Sequence, residues 1–383
     1  MKKQKICIIG GSLTGLVTAI SLSKLGCEID LVIHNFKQNL KSKKTVAISE
    51  SNFGFLNDLE ISTSLKKQMW ACSKMKLYSE IKKNNFSEIF ELNKENKQEK
   101  ILYMFENYKI IKLMMNKIKK IKSISLIYHK KISSIFNEGL LKGVRFTDNN
   151  TRKYNLVIIC TGYNSDLAKN IFDDQIIKNS YEEYAITTIL KHSPIKNNIS
   201  RQIFLENEIL ALLPLSNIKT SIVWTVKKCM KKKNKIFFKN KINYYAKKYL
   251  NNINFSTDIE CNDLNLLIRN KYYTYRTLLF GDALHVMHPF VGQSFNMTLR
   301  DLISLKKILK KKMSLGLDIG STDILSEYSR EIKPRNFVFS IGSDLLKNSL
   351  SYKSARNDIL KILNKSNFSK DILFNIADKG FRF

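Results

Sequence analysis

The 383-residue chain has only 4 prolines and 14 glycines, too few for a collagen-like or low-complexity architecture. Its 6 cysteines (Cys7, Cys27, Cys72, Cys160, Cys229, Cys261) are scattered, with no C-x-x-C among them. That spacing argues against a disulfide frame or a zinc site and fits reduced thiols in a cytoplasmic protein. No apolar run approaches the ~18–20 residues of a membrane-spanning helix. The apolar stretch behind Lys2, Lys3 and Lys5 is broken by Gly10, Gly11 and Gly15, and is not read as a signal peptide. Arginine is scarce as well: 10 residues, the first at Arg145, against 55 lysines. Nucleic-acid recognition leans on arginine's planar, bidentate fork. The net charge of +32 is therefore read as lysine on solvated faces, with no nucleic-acid partner. Hydrophobic residues at 44 % and aromatics at 10 % exclude disorder and supply a substantial core.

A cationic surface is still drawn to anionic lipid head groups. The densest clusters are residues 227–241 (KKCMKKKNKIFFKNK) and 306–312 (KKILKKK). The first interleaves Phe237 and Phe238 with lysine, as a membrane-facing segment would, although each cluster is equally the wet side of a helix.

Along the chain, KICII (5–9) reads as a buried strand, followed by a glycine turn, a helix near 14–25 and a second strand, IDLVI (29–33). This is the βαβ opening of a dinucleotide-binding fold. Residues 100–122 read as one long helix, and the segments that follow alternate like strands up to YNLVII (154–159). Between about 181 and 270 the strands YAITTIL, ILALLPL and TSIVWTV suggest a separate antiparallel layer, with a basic helix at 235–250. A buried strand returns at 277–280, then a helix to about 312 and a helical tail from 322. The expected organisation is α/β: a discontinuous dinucleotide-binding domain (1–70, 100–180, 271–383) interrupted by a sheet domain (71–99, 181–270).

Two motifs carry chemistry. In Gly10-Gly11-Ser12-Leu13-Thr14-Gly15, Gly10 makes the tight turn and Gly15 lets helix pack on strand. The helix N-terminus then offers free N–H groups to a diphosphate. Ser12 stands where a second close-approach glycine is usual. His34 stands at the end of the second strand, where an acidic residue usually binds ribose hydroxyls. The second motif is more specific: Gly281-Asp282-Ala283-Leu284-His285 after a strand, then Pro289-Phe290-Val291-Gly292-Gln293-Ser294-Phe295-Asn296 opening a helix that carries Arg300-Asp301.

This second string resembles the class A flavoprotein monooxygenases, and within them the polyprenylphenol hydroxylases of ubiquinone biosynthesis. The likeness extends to Met287-His288-Pro289, to Ala211-Leu212-Leu213-Pro214-Leu215 with Ser221-Ile222-Val223-Trp224-Thr225, and to Thr45-Val46-Ala47-Ile48-Ser49. It covers nearly the whole chain. It implies an FAD-binding Rossmann-like domain of the GR2 type with an inserted, mostly antiparallel substrate sheet and a helical C-terminal tail. It also implies FAD as cofactor, with NADH or NADPH as reductant. By position, Asp282 matches the ligand of the ribityl chain, Gly292, Gln293 and Ser294 the loop under the flavin pyrimidine, and Asn296 the asparagine beside the isoalloxazine. Cys160-Thr161-Gly162 falls where the family has an acidic residue, so Thr161 replaces it. Lys44 replaces the arginine before the Thr45 segment, and Ser294 replaces a glycine.

The implied reaction is hydroxylation of a prenylated phenol by reduced flavin and O₂. The hard chemistry belongs to the cofactor, which accounts for the lack of a Ser/His/Asp or metal constellation. His285 and His288 are read as structural histidines, with no third ligand to make them a metal site. The resemblance places the reacting ring beside the backbone carbonyl of Pro289, with Leu212, Pro214 and Trp224 as the far wall. Expected partners are the phenol, O₂, an anionic membrane surface touched peripherally and a biosynthetic complex. Two alternatives stand beside this reading: a flavin fold running another redox reaction, such as prenyl reduction, and a scaffold member of the quinone complex.

Overall fold

The computed structural model describes residues 3–36, 40, 42–61, 65–66, 68–82, 85–93, 100–163, 165–172, 176–206, 208–288, 292–351 and 367–380. The helices are α1 (Leu13–Ser23), α2 (Glu50–Asp58), α3 (Asn107–Ile118), α4 (Asp166–Ile171), α5 (Lys235–Ala246), α6 (Ser294–Ser314), α7 (Thr322–Ser351) and α8 (Asn367–Lys379).

The strands KICII, LVII and TLL are apolar throughout because both faces of their sheet are covered, the pattern of a parallel sheet. They belong to a 6-stranded sheet in the order Tyr273–Thr274, Thr277–Leu279, Leu156–Ile159, Lys5–Ile9, Glu28–Ile33, Ile124–Tyr128. All neighbours are parallel except the short Tyr273–Thr274 hairpin strand. Helix α1 is buried on nearly every side because it lies between this sheet, α3 and α6. A 3-stranded antiparallel sheet (Ile132–Glu138, Leu141–Phe146, Thr151–Tyr154) precedes Leu156–Ile159. The expected GR2-type arrangement is what the chain adopts.

The second layer is a 9-stranded sheet in which the pairing of Ile199–Phe204 with Lys74–Lys82 is parallel and the other pairings are antiparallel. It extends past the expected 181–270 at both ends. Its longest strand, Ile176–Lys191, starts earlier, and His285–Val286 adds an edge strand. The early part is exposed and polar (Lys178, Asn179, Ser180), so no apolar alternation marks it, and a bulge between Ser180 and Tyr184 breaks the register.

One expected element divides in two. Within 100–122 only Asn107–Ile118 is helical. Leu102–Glu106 is the central strand of a 3-stranded sheet with Thr45–Ser49 and Trp70–Cys72. LYMFE is buried at each position, which suits a strand covered on both faces but breaks no helical period that sequence alone would reveal.

The 235–250 segment is helical over Lys235–Ala246 as expected, with Phe238 turned inward and Tyr244 outward. Phe238, Ile242 and Ala246, four apart, pack on Trp224, Leu210, Leu212 and Ile222. Phe238 meets Trp224 edge-on at 5.9 Å, so of the two phenylalanines interleaved with lysine Phe238 belongs to the core and Phe237 stays part-exposed. Among the described residues no helix is long and apolar enough to cross a membrane.

Candidate flavin site

The glycine turn sits where Lys5–Ile9 ends. Gly10 has φ +136°, and its N–H donates to the Val32 carbonyl at 3.0 Å, tying it to the next strand. A Cβ on Gly15 would fall 1.9 Å from the Gly10 carbonyl oxygen, so α1 rests directly on the turn. A Cβ on Gly281 (φ +62°) would lie 2.6 Å from a Thr14 methyl, so the second motif is packed against the first. Gly10 is also backed by Cys160, whose N–H donates to the Ile9 carbonyl at 2.8 Å. The turn at 10–15, His34, Thr161-Gly162 and Asp282 thus follow the carboxyl ends of four adjacent parallel strands. That edge is where open α/β sheets bind ligands. Asp282, His34 and Thr161 are exposed there, and Gly162 (φ +85°) faces open space.

The second half of the site begins at Asp282, whose carboxylate accepts from the Ser294 hydroxyl at 3.2 Å. Ser294 opens α6. A Cβ on Gly292 (φ +63°) would lie 3.5 Å from the Ala47 Cβ, and Asn296 is fully buried in the first turn of the helix. The Asn296 Nδ2 donates to the Ala47 carbonyl (3.0 Å) and the Gly292 carbonyl (3.4 Å). Its Oδ1 accepts from the Ser49 N–H (3.0 Å) and from Asn52 Nδ2 (3.2 Å). All its polar capacity is therefore spent on protein: it pins the 45–49 strand to the loop. Lys44 is exposed at the start of that strand.

Both helix N-termini at this edge are left open. Ser12 caps α1 and Gln293 caps α6 with no side-chain hydrogen bond, and neither first turn holds an acidic residue. Gln293 is buried with its Oε1 unpartnered. Free N–H groups and the positive dipole end suit a diphosphate at α1 and an electron-rich ring at α6. The site thus fits a flavin dinucleotide.

His285 and His288 do different things. His285 Nε2 bonds the Asp301 carboxylate at 2.9 Å, and Asn336 Nδ2 donates to the same oxygen at 2.9 Å, joining the second motif to α6 and α7. His288 Nε2 meets Glu183 Oε2 at 3.2 Å, and Lys347 Nζ donates to Glu183 Oε1 at 3.0 Å. Burial holds the His288 pKa below its usual value, so the ring is neutral at pH 7 and donates from Nε2, with Nδ1 unpartnered. Burial raises the Glu183 carboxyl, but hydrogen bonds from His288 and Lys347 outweigh it and the pKa falls.

Three expected residues lie elsewhere. Leu212 and Trp224 are 1 % and 0 % exposed, on the sheet face covered by α5, and Pro214 shares that face by alternation. The far-wall assignment is corrected accordingly. The opposite-parity neighbours Leu213 and Leu215 face Ala47 and Met104 beside the loop at 292. ILALLPL is apolar at nearly every position because both faces are covered, so parity was not readable. Pro289 lies outside the described residues.

A parallel sheet whose strand ends meet two open helix N-termini, interrupted by a large antiparallel sheet, defines a flavin-dependent class of α/β protein. The profile of the family described as "FAD binding domain" matches residues 3–336, and the chain belongs to that family, with FAD as its cofactor. The chain is similar to a ubiquinone hydroxylase, UbiL, of Rhodospirillum rubrum: 26 % identical over 250 residues, 64 % of this chain and 58 % of that protein. It is also similar to the mitochondrial ubiquinone biosynthesis monooxygenase COQ6 of Dictyostelium discoideum, 23 % identical over 335 residues, 72 % of this chain and 68 % of that protein. Among solved structures, p-nitrophenol 4-monooxygenase PnpA from Pseudomonas putida superposes with a TM-score of 0.77 at 13 % identity, covering 100 % of this chain and 99 % of that one. These comparisons bear out the resemblance to class A flavoprotein monooxygenases.

Proposed function

We propose that this chain hydroxylates the aromatic ring of a prenylated phenol in ubiquinone synthesis, taking one atom of O₂ and using NADH or NADPH as reductant. The observation that carries this reading is that the second motif bridges the two open helix N-termini, Gly281 packing against Thr14 of α1 and Asp282 accepting from Ser294 of α6. The similarity to named ubiquinone hydroxylases supports the reaction class.

When bound, FAD supplies the redox and oxygen chemistry. Residues 1–70, 100–180 and 271–383 would hold it, and 71–99 with 181–270 would cover the substrate. Gly10, Ser12 and Gly15 would cradle the diphosphate. His34, Lys44, Thr161 and Gly162 would line the nucleotide edge, and Asp282 would accept from the ribityl hydroxyls. The N–H groups of Gly292, Gln293 and Ser294 would hold the pyrimidine end, where the α6 dipole favours negative charge. The Pro289 carbonyl would face the phenol. Leu213 and Leu215 would keep the ring side dry and leave an apolar route for the prenyl tail. The lysine-rich surface favours anionic lipid, from which so greasy a substrate would be drawn.

Purified, FAD-loaded protein given a prenylated phenol should consume O₂ and NADH or NADPH together and release the ring-hydroxylated benzenediol. Asp282→Ala should release FAD. Reductant oxidation that needs no O₂ and saturates a prenyl double bond would instead support the reductase alternative. A chain that takes up no FAD would support a scaffold role.

A further inference from the structure

Helix α2 starts without a cap of its own. Ser49 stands at its N-cap position, yet the Ser49 side chain caps nothing. Its hydroxyl instead donates to the Asp378 carbonyl, near the end of α8, at 3.3 Å. The missing cap is supplied from 327 residues along the chain. Asp378 Oδ1 accepts from the Ser51 N–H at 2.9 Å, and Oδ2 accepts from the Ser51 hydroxyl. A carboxylate there satisfies one of the orphan N–H groups and meets the positive end of the α2 dipole. Asp378 is 4 % exposed. Its charged neighbour is Arg300 of α6: a Cβ on Gly380 would lie 3.0 Å from Arg300 Nε. Burial pulls the Arg300 guanidinium down to about 10, and the charges of Asp301 and Asp378 act against that pull.

Ser51 lies between the two residues that fill Asn296 Oδ1. The Ser49 N–H donates to it at 3.0 Å and Asn52 Nδ2 at 3.2 Å, and Asn52 Nδ2 also reaches the Ser49 hydroxyl at 2.9 Å. Asn296 in turn holds the Ala47 and Gly292 carbonyls. One continuous hydrogen-bonded chain therefore runs from the C-terminal helix to the loop at the ring end of the flavin site. Apolar contacts give α8 a similar reach. Phe374, one turn before Asp378, packs with Leu77 and Phe204 of the large sheet and with Ala47 and Met104 beside the flavin loop. The end of α8 has less behind it. A cavity of about 160 Å³ opens between it, α6 and α7, lined by Arg300, Ile303, Ile332, Arg335 and Phe339 among others. Packing alone does not fasten that end; Asp378 does.

We propose that Asp378 is a positioning residue for the cofactor. By capping α2 it holds Ser49 and Asn52 where they fix Asn296 and the Gly292 loop, and it does so without touching FAD. Binding and docking are then reciprocal: FAD settles α8 on α2 by the same factor by which docked α8 tightens FAD. The inference rests on FAD as cofactor and is independent of the reaction proposed above.

Full-length apoprotein titrated with FAD by fluorescence gives the affinity. Hydrogen exchange read by mass spectrometry, with and without saturating FAD, gives the docking of α8. In wild type, FAD should slow exchange across 367–379 and in the first turn of α2. Asp378→Ala should weaken FAD by ~tenfold, a usual size for such couplings, and should remove the FAD-dependent protection of α8. Asp378→Asn keeps an acceptor for the Ser51 N–H, offers its amide to the Ser51 hydroxyl, and should restore both. Trp224→Ala is the control for stability alone. It loosens the core on the far side of the large sheet and should leave FAD affinity and α8 protection as in wild type. Should Asp378→Ala fail to fold, Ser51→Ala, which removes only the hydroxyl donor, takes its place and should weaken FAD in the same direction. Exchange of α8 in wild type that ignores FAD overturns the proposal. So does unchanged FAD affinity in Asp378→Ala, or in Ser51→Ala where that variant stands in. An equal loss of affinity in Trp224→Ala overturns it as well, since general destabilisation would then explain the effect.

Discussion

Replacing Asn296 by Ala separates two roles for a residue that the family resemblance places beside the flavin ring. The structure gives its side chain four protein hydrogen bonds and no exposure. Truncation strands the buried Ser49 N–H and the Ala47 carbonyl, whereas Asn52 keeps its bond to the Ser49 hydroxyl. Each stranded backbone group costs ~1–3 kcal/mol, so the apoprotein should lose ~2–6 kcal/mol. In a chain of this size that lowers its melting temperature by ~3–8 °C. Asn296→Asp, nearly isosteric, keeps an acceptor for Ser49 but sets a carboxylate oxygen against the Ala47 carbonyl, and should fall at least as far. FAD affinity should drop as a consequence, because the pinned strand and loop form the ring end of the site. The assay is a melting curve with and without saturating FAD, beside a fluorescence titration of the cofactor. Should both variants melt within ~1 °C of wild type as apoprotein while losing FAD, the side chain acts on the cofactor directly and the pin argument is wrong.

Gly15→Ala places a methyl 1.9 Å from the Gly10 carbonyl oxygen, and backbone must move. An overpacking cost of ~1–3 kcal/mol and loss of FAD binding are expected, read by melting and by flavin absorbance. Trp224→Ala removes the largest side chain between sheet and α5 and should cost ~3–5 kcal/mol. KM for the phenol should stay unchanged in the enzyme that remains folded, and a selective rise in KM would restore Trp224 to the substrate wall. Stability should also depend on pH through His288. Its folded pKa is depressed, so its contribution is complete above the unfolded value near 6.5 and is lost as pH falls toward the folded value. Glu183, also depressed, adds a loss that begins only below about 4.5. The melting temperature should therefore decline from pH 7 to pH 5 in wild type and decline less in His288→Gln.

Local chemistry settled much of this protein before any coordinates. KICII, LVII and TLL, set beside glycine turns, read as strands covered on both faces, and Gly10 and Gly15 announce a turn that a helix must approach closely. The string from Gly281 to Asp301 carries its own spacing, because each residue serves one local geometry. What needed the tertiary structure was direction. ILALLPL and TSIVWTV do not say which parity faces the flavin side, since both faces of that sheet are buried. LYMFE does not say that it leaves the following helix to join Thr45–Ser49. Phe238 turns inward under Trp224 because α5 has a sheet to cover. Phe337, Val338 and Leu345 face outward because α7 turns Ile332, Asn336, Phe339, Ser340 and Lys347 inward, the polar Asn336 and Lys347 meeting Asp301 and Glu183. Sequence pattern fixes how often a side chain recurs on a face, and only packing decides what that face meets.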